Sequence, residues 1–392
     1  MTEVRVVGVG MTRFGKFPDL SPKAMAAEVV AAALADAGMA PERIGAVYVS
    51  NVFAASLTGQ ESVRGQVWLD DTALAGVPVF NVENACASGS TAVALGRIAI
   101  AAGEVENVLV LGLERMTHPE KGRALRAMEG AMDQERLPEL RRSLGLEEGQ
   151  GSPFMQVYAE YARAYMERSG ATQEDFASAA SKNHAHGALN PRAQFRDRFS
   201  VEEILAARPV TGPLTVPMCA PIGDGAAAAV LTGATSKDAM ARSVRLLSSV
   251  VGSGVRGRSE QVVTDTARRA FERAGIEPAD IDVLEVHDAA SPAEFIVLEE
   301  LGIVAPGDAP GMIRAGETTI GGRLPVNPSG GLVSKGHPLG ATGLAQVFEL
   351  VEQLRGEAGD RQVEGARIAV AENAGGYLGP EPAAAAVTVL AR

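Results

Sequence analysis

Two short motifs, far apart in the chain, carry a thiol and an imidazole in matching surroundings. Asn84-Ala85-Cys86-Ala87-Ser88-Gly89 puts Cys86 where an apolar strand gives way to an Ala-rich helix. Lys335-Gly336-His337-Pro338-Leu339-Gly340-Ala341-Thr342-Gly343 puts His337 in a similar turn. A thiol and an imidazole on facing turns are the nucleophile and proton acceptor of covalent acyl transfer. A strand over 79–84 and a helix over 88–102 would set Cys86 at a helix N-terminus. Unpaired amides and the helix dipole favour a thiolate there, and the same amides suit the oxyanion of a tetrahedral intermediate. A free cysteine is also a common packing residue; the second motif is what turns the reading toward chemistry.

His337 is flanked by Gly336 and Pro338 and followed by Gly340 and Gly343, a rigid turn and not the apolar face of a helix. An imidazole in such a turn can take the thiol proton and return it. His287 closes a short apolar strand, Val283-Leu284-Glu285-Val286, and is followed by Asp288. Strand ends at a seam between α/β units are where ligands bind, although a capping or core histidine would look the same. His118, His184 and His186 remain. The last two have a metal-like spacing, but no thiol or carboxylate cluster accompanies them, so no metal is expected.

The elements that must position these groups come in two copies. Ala37-Gly38-Met39-Ala40-Pro41-Glu42-Arg43-Ile44, leading into Ala46 to Asn51, matches Ala274-Gly275-Ile276-Glu277-Pro278-Ala279-Asp280-Ile281, leading into Val283 to Asp288. Each copy reads as an amphipathic helix, a Gly stop, a Pro turn and a short strand. Each is followed by a reactive turn and then by another apolar strand, 108–111 and 368–371. Two related α/β halves follow, residues 1–245 and 246–392, with the site between them. A charge-rich stretch, about 117–210, reads as a helical insertion in the first half, and Ser248 to Ser259 as a loop or boundary. Gly252, Gly254 and Gly257 lack the Lys-Ser or Lys-Thr pair of a phosphate loop. Gly8-Val9-Gly10 lacks the third glycine and the acidic residue of a dinucleotide fingerprint.

Composition sets the outer limits. The chain has 392 residues, 46% of them hydrophobic, enough to bury a sizeable core. A formal charge of −12 argues against a nucleic-acid or anionic-membrane surface. Two cysteines, Cys86 and Cys219, make a disulfide framework implausible and a reducing cytoplasm the expected setting. No apolar run reaches the roughly 18 residues that a membrane span needs.

On these motifs the chain resembles the thiolase superfamily, and within it the thiolase of the sterol carrier protein X type without the sterol carrier domain. Asn327-Pro328-Ser329-Gly330-Gly331-Leu332-Val333-Ser334 leading into the His337 motif is the most specific stretch. His287-Asp288, Lys182-Asn183-His184 with Asn190-Pro191, and Asp224-Gly225-Ala226-Ala227 support it. The resemblance implies an α/β thiolase fold: two duplicated βαβαβαββ halves in a five-layered α-β-α-β-α core, with an inserted loop domain. It implies an acyltransferase working on 3-ketoacyl-CoA or acyl-CoA thioesters, with coenzyme A as substrate and no tightly bound cofactor. Cys86 matches the acylated nucleophile, His337 its activator, His287 an oxyanion-hole histidine, and Gly375 the glycine whose amide joins that of Cys86. Lys182 and Arg192, near the end of the insertion, are the candidate coenzyme A contacts.

Two departures stand out. The second catalytic cysteine of thiolases falls at Asn373, and the cysteine expected after His-Asp is Ala289. His287, His337, Tyr377 or Cys219 is left to move the second proton. A retro-aldolase or other lyase on CoA esters is the alternative, as is a thiolase-like subunit active only with a small zinc-ribbon/OB-fold partner. The resemblance further implies a homodimer, with a tetramer as the larger assembly.

Overall fold

The computed structural model describes residues 2–120, 122–147, 151–234, 242–257 and 262–392. Nine strands join in one sheet: β1 (Arg5–Met11), β2 (Ala46–Ser50), β3 (Val79–Val82), β4 (Asn107–Arg115), β5 (Asp224–Thr232), β6 (Val244–Ser253), β7 (Val283–Glu285), β8 (Ile368–Gly375) and β9 (Ala384–Ala391). Their spatial order is β3-β2-β4-β5-β1-β6-β9-β8-β7. The order mirrors itself about the centre. Outward from β1 run β5, β4 and β2; outward from β6 run β9, β8 and β7. Parallel and antiparallel pairings match on the two sides. Among the described residues, Arg5↔Arg245 and Val6↔Val244 are the register pairs that join the two sides within the sheet.

The expected repeat is visible in this symmetry. The two Pro turns are short 3-10 helices, Pro41–Arg43 and Pro278–Asp280, and each leads into the matching strand, β2 and β7. The helices that matter here are α1 (Pro22–Ala37), α2 (Ser88–Ala101), α3 (Leu137–Ser143), α4 (Pro153–Ser169), α5 (Gln173–Leu189), α6 (Val262–Ala274), α7 (Pro292–Glu300) and α8 (Leu339–Arg355). Helix α1 covers β1, β4 and β5, and α6 covers β6 and β9. Between the sides lie α2 and α8, which touch each other and strands of both. The result is a layered α-β-α-β-α arrangement.

Burial explains the composition of the central elements. Strand β5 is buried at every position. It reads as a continuous small apolar run because both of its faces are covered. Helix α8 is buried almost all round, as a helix clamped between the two sides of the sheet must be. It crosses α2 at glycines: a Cβ on Gly89 would lie 3.1 Å from Leu344 N, and one on Gly343 would lie 2.5 Å from Ser90 N. The two backbones therefore touch where side chains would hold them apart.

The insertion is mainly helical, as expected. Helix α4 starts at Ser152, whose hydroxyl accepts from Met155 N, and α5 starts at a Thr172/Asp175 capping box. The Ser/Gly segment does not behave as expected. Its first six residues, Ser248–Ser253, belong to β6, and part of its end lies outside the described residues. The serines fit a buried strand because each hydroxyl has a partner: Ser248 donates to the Ala270 carbonyl and Ser249 pairs with Thr388.

Candidate active site

Cys86 stands on a tight turn between β3 and α2. Ala85 takes a left-handed conformation, φ 47°, a costly one for a residue with a Cβ. The turn is over-determined: Ala85 N–H donates to Glu83, Asn84 N–H donates to the Ser88 hydroxyl, and that hydroxyl donates to the Ala85 carbonyl. Gly375, at the end of β8, packs directly on it. A Cβ there would lie 2.7 Å from Ala87 N and would overlap the Asn84 carbonyl oxygen. The amides turned toward the sulfur are those of Cys86 itself and Gly376.

His337 Nε2 lies 3.3 Å from Cys86 Sγ. Its Nδ1 lies 2.7 Å from Thr342 Oγ1, whose own hydrogen is directed to the Pro338 carbonyl. Because that hydroxyl has one hydrogen to give, Nδ1–H must donate to it, which leaves the Nε2 lone pair facing the thiol. Sequence reading passed over Thr342, although it sits inside the quoted motif. The His287 ring lies edge-on to that of His337, centroids 5.1 Å apart. Its Nε2 is buried without a protein partner, while its backbone N–H donates to Glu372.

Charge is scarce here. Burial pushes the Cys86 thiol up to about 12, with Glu114 and Glu83 adding to the rise, against the pull of the Gly376 and Cys86 amides. Burial also pushes His287 down to about 4. It drives His337 well below the usual range, helped by its neighbours His287 and Lys335. The resting pair is therefore a neutral thiol on a neutral imidazole, and the ionised sulfur expected from the helix N-terminus is not the ground state. The sulfur and one nitrogen of each ring come within 4.8 Å of one another. No metal was expected, but this is a donor set that could grip a soft divalent ion.

The supporting shell is a buried polar network. Asp288 accepts from Leu332 N–H and from Asn183, fixing the turn before His337. Lys335 pairs with Glu285 at 3.0 Å, and Ser329 donates to the same carboxylate. Glu114 links the two sides, accepting from Asn51, Val52 and Phe53 in the first and from Gly340 in the second.

Several expected assignments change. Lys182 is buried, ion-paired with Glu294 and bonded to the Val326 carbonyl, so its ammonium faces away from any surface ligand. Arg192 donates to the Met11 carbonyl and lies over the Phe348 ring, with part of its side chain still exposed. Cys219 bonds to the Thr215 carbonyl and packs on the core, with its thiol raised to about 12. Asn373 is buried, its amide within reach of Gln346 and, at 2.8 Å, of the Cys86 carbonyl. It steadies the turn and does not face the pocket.

The thiol and both rings open into a pocket with about 810 Å³ of empty space. Its lining is apolar and aromatic: Phe53, Met116, Phe154, Tyr158, Tyr161 and Tyr377 are among the residues, and none is Lys, Arg, Asp or Glu. Phe154, Tyr158 and Tyr161 share one face of α4 at i, i+4 and i+7. Beyond Tyr377 lies a second, polar depression with Arg136, Arg256 and Asp133.

Fold and site define an acyl-transferring enzyme of the thiolase class. The chain belongs to the thiolase family: residues 4–203 match the thiolase N-terminal domain and residues 258–392 the thiolase C-terminal domain-like family. It is 38% identical to acetyl-CoA acetyltransferase of Methanothermobacter thermautotrophicus over 97% of this chain and 98% of that protein. It is 38% identical to sterol carrier protein 2 of Oryctolagus cuniculus over 96% of this chain and 70% of the other. It is 34% identical to benzoylsuccinyl-CoA thiolase subunit BbsB of Thauera aromatica over 95% of both. Among solved structures, the Ltp2-ChsH2(DUF35) aldolase aligns with TM-score 0.81 and 25% identity, covering 100% of this chain and 98% of that one. Human mitochondrial 3-ketoacyl-CoA thiolase aligns with TM-score 0.72 and 19% identity, covering 100% and 98%, a likeness of fold. Among the described residues no helix is long and apolar enough to cross a membrane.

Proposed function

We propose that the chain transfers acyl groups between coenzyme A thioesters through an acyl-Cys86 intermediate, by thiolytic cleavage of a 3-ketoacyl-CoA or the reverse condensation. The observation that carries this reading is the 3.3 Å approach of His337 Nε2 to Cys86 Sγ. As sulfur attacks the C3 carbonyl, Nε2 takes the thiol proton. The amides of Cys86 and Gly376 hold the oxyanion, and the free Nε2 of His287 faces the thioester oxygen. The apolar lining suits an uncharged acyl group, aliphatic or aromatic. Coenzyme A itself enters past Tyr377, with Arg136 and Arg256 near its phosphates, a role first given to Lys182 and Arg192.

The test is intact-mass analysis after mixing with 3-ketooctanoyl-CoA. A mass gain of one hexanoyl group (C3–C8 of the substrate) on Cys86, discharged by free coenzyme A and absent in Cys86→Ala, is expected. Failure of wild-type protein to form the adduct overturns the reading.

A second reading is carbon–carbon cleavage by retro-aldol chemistry with a DUF35 partner, favoured by the likeness to the Ltp2-ChsH2(DUF35) aldolase. Activity that survives Cys86→Ser, or that appears only with such a partner, selects it. The homodimer is proposed on the exposed edge strand β3, where Phe80 stands 50% exposed, stacked on Tyr48.

A further inference from the structure

Cleaving a 3-ketoacyl-CoA needs two proton carriers, and the geometry above provides for one. When the C2–C3 bond breaks, Cys86 keeps the C3 acyl group as a thioester. The bonding electrons leave with C2 as the enolate of the shortened thioester, and C2 must gain a proton. His337 is occupied: its Nε2 faces the sulfur and carries the thiol proton until Cys86 is released. His287 lies 5.1 Å from that ring, so the two imidazoles do not hold a proton each at the same time. Cys219 and Asn373 point elsewhere, and Ala289 has nothing to give.

The pocket wall offers three hydroxyls. That of Tyr161 donates to the Pro380 carbonyl. Tyr377 stands at the boundary with the outer depression, and its charged neighbour is Arg256. Tyr158 differs from both. It projects from α4 into the pocket that holds Cys86, His287 and His337. Among the described residues its hydroxyl has no hydrogen-bond partner. Tyr158 is partly buried, packed against the core. A tyrosine O–H drawn out of water normally finds a partner; one left open in the pocket of the nucleophile is placed for a ligand.

We infer that the Tyr158 hydroxyl is the second proton carrier of this site, serving the carbon released on cleavage. The inference rests on the acyl-transfer reading. Tyr158 O–H gives its proton to C2, and the resulting phenolate takes the proton of the incoming coenzyme A thiol. That thiol's sulfur attacks acyl-Cys86, and His337 returns the first proton to the departing Cys86 sulfur. Protons and electrons close over the cycle, with no further reactant. The direction is favourable: burial keeps the Tyr158 hydroxyl well above its ordinary range, and the nearby Cys86 adds to the rise. A thiol is a stronger acid than tyrosine and hands its proton over readily.

The test is Tyr158→Phe, which keeps the ring and strands no partner, because the hydroxyl has none to strand. Two rates are compared: cleavage of 3-ketooctanoyl-CoA, and transfer of the acyl group of p-nitrophenyl octanoate, whose leaving group needs no proton, to Cys86 followed by intact mass. The second reaction protonates no carbon. The expected result is a loss of about 10²- to 10⁴-fold in cleavage, with acyl transfer changed less than about tenfold. Cleavage close to the wild-type rate, an equal loss in both reactions, or the selective loss appearing in Tyr377→Phe instead would overturn it. If wild-type protein never forms acyl-Cys86, the acyl-transfer reading fails first and this inference falls with it.

Discussion

Cys86 and His337 meet as uncharged partners, and this shapes how the thiol reacts. The helix N-terminus and two facing amides pull the thiol down, but burial and the carboxylates of Glu114 and Glu83 outweigh them and leave it at about 12. A thiol raised in this way stays protonated through neutrality, and its thiolate fraction grows tenfold per pH unit until the pH nears that value. Alkylation of Cys86 by iodoacetamide, followed by mass, is therefore expected to rise about tenfold per unit between pH 7 and 9.5. A rate already flat below pH 7 would show a resting ion pair instead. The sequence disclosed the thiol and the imidazole because each sits in a turn of small residues and glycine, and the second histidine because it closes a repeated apolar strand. It did not disclose their protonation, which depends on the layers packed around the turns. Thr342, which settles the tautomer, was hidden for a simpler reason. A threonine five residues from a histidine in a helix-forming run looks like any other helix residue.

At the scale of elements, the chain places two lysines where residue type alone misleads. Lys182 looks like a surface cation and Lys335 like part of a binding motif, yet both are buried and paired, with Glu294 and Glu285. Sequence reports that a charge is present, not which way its helix face points. Lys335 ties the turn before His337 to the end of β7, and its loss would leave the Glu285 carboxylate buried without its cation, held by Ser329 alone. Lys335→Met is expected to lower unfolding free energy by about 3–5 kcal/mol, read from denaturant midpoints. A smaller change would mean that water reaches Glu285. The insertion was legible as helix from its charge-rich, helix-forming runs, and the caps at Ser152 and Thr172 are what start two of its helices. The aromatic face of α4 was equally legible in its i, i+4, i+7 spacing, but only the fold shows that it looks at Cys86. Strand β6 was missed because Ser/Gly composition imitates a loop when its hydroxyl partners, Ala270 and Thr388, lie elsewhere in the chain.

At the scale of the whole molecule, duplication was readable before any coordinates, since the repeated Gly stop, Pro turn and short strand recur in order. Invisible in the sequence was how the two sides meet: two register pairs in the sheet, and a helix crossing at Gly89 and Gly343. The free edge belongs to β3, and an exposed edge with an aromatic on it invites a second strand. Phe80→Lys is expected to turn a dimer into a monomer, as measured by light scattering on an eluting peak. A wild-type protein that already runs as a monomer would remove the edge from consideration. The crossing of α2 and α8 has one more consequence. The first side brings the sulfur and the second both imidazoles, and the set exists only once glycine lies against glycine. A chain caught midway through folding therefore carries a sulfur that nothing activates, so thioesters in its surroundings are spared until the molecule is whole.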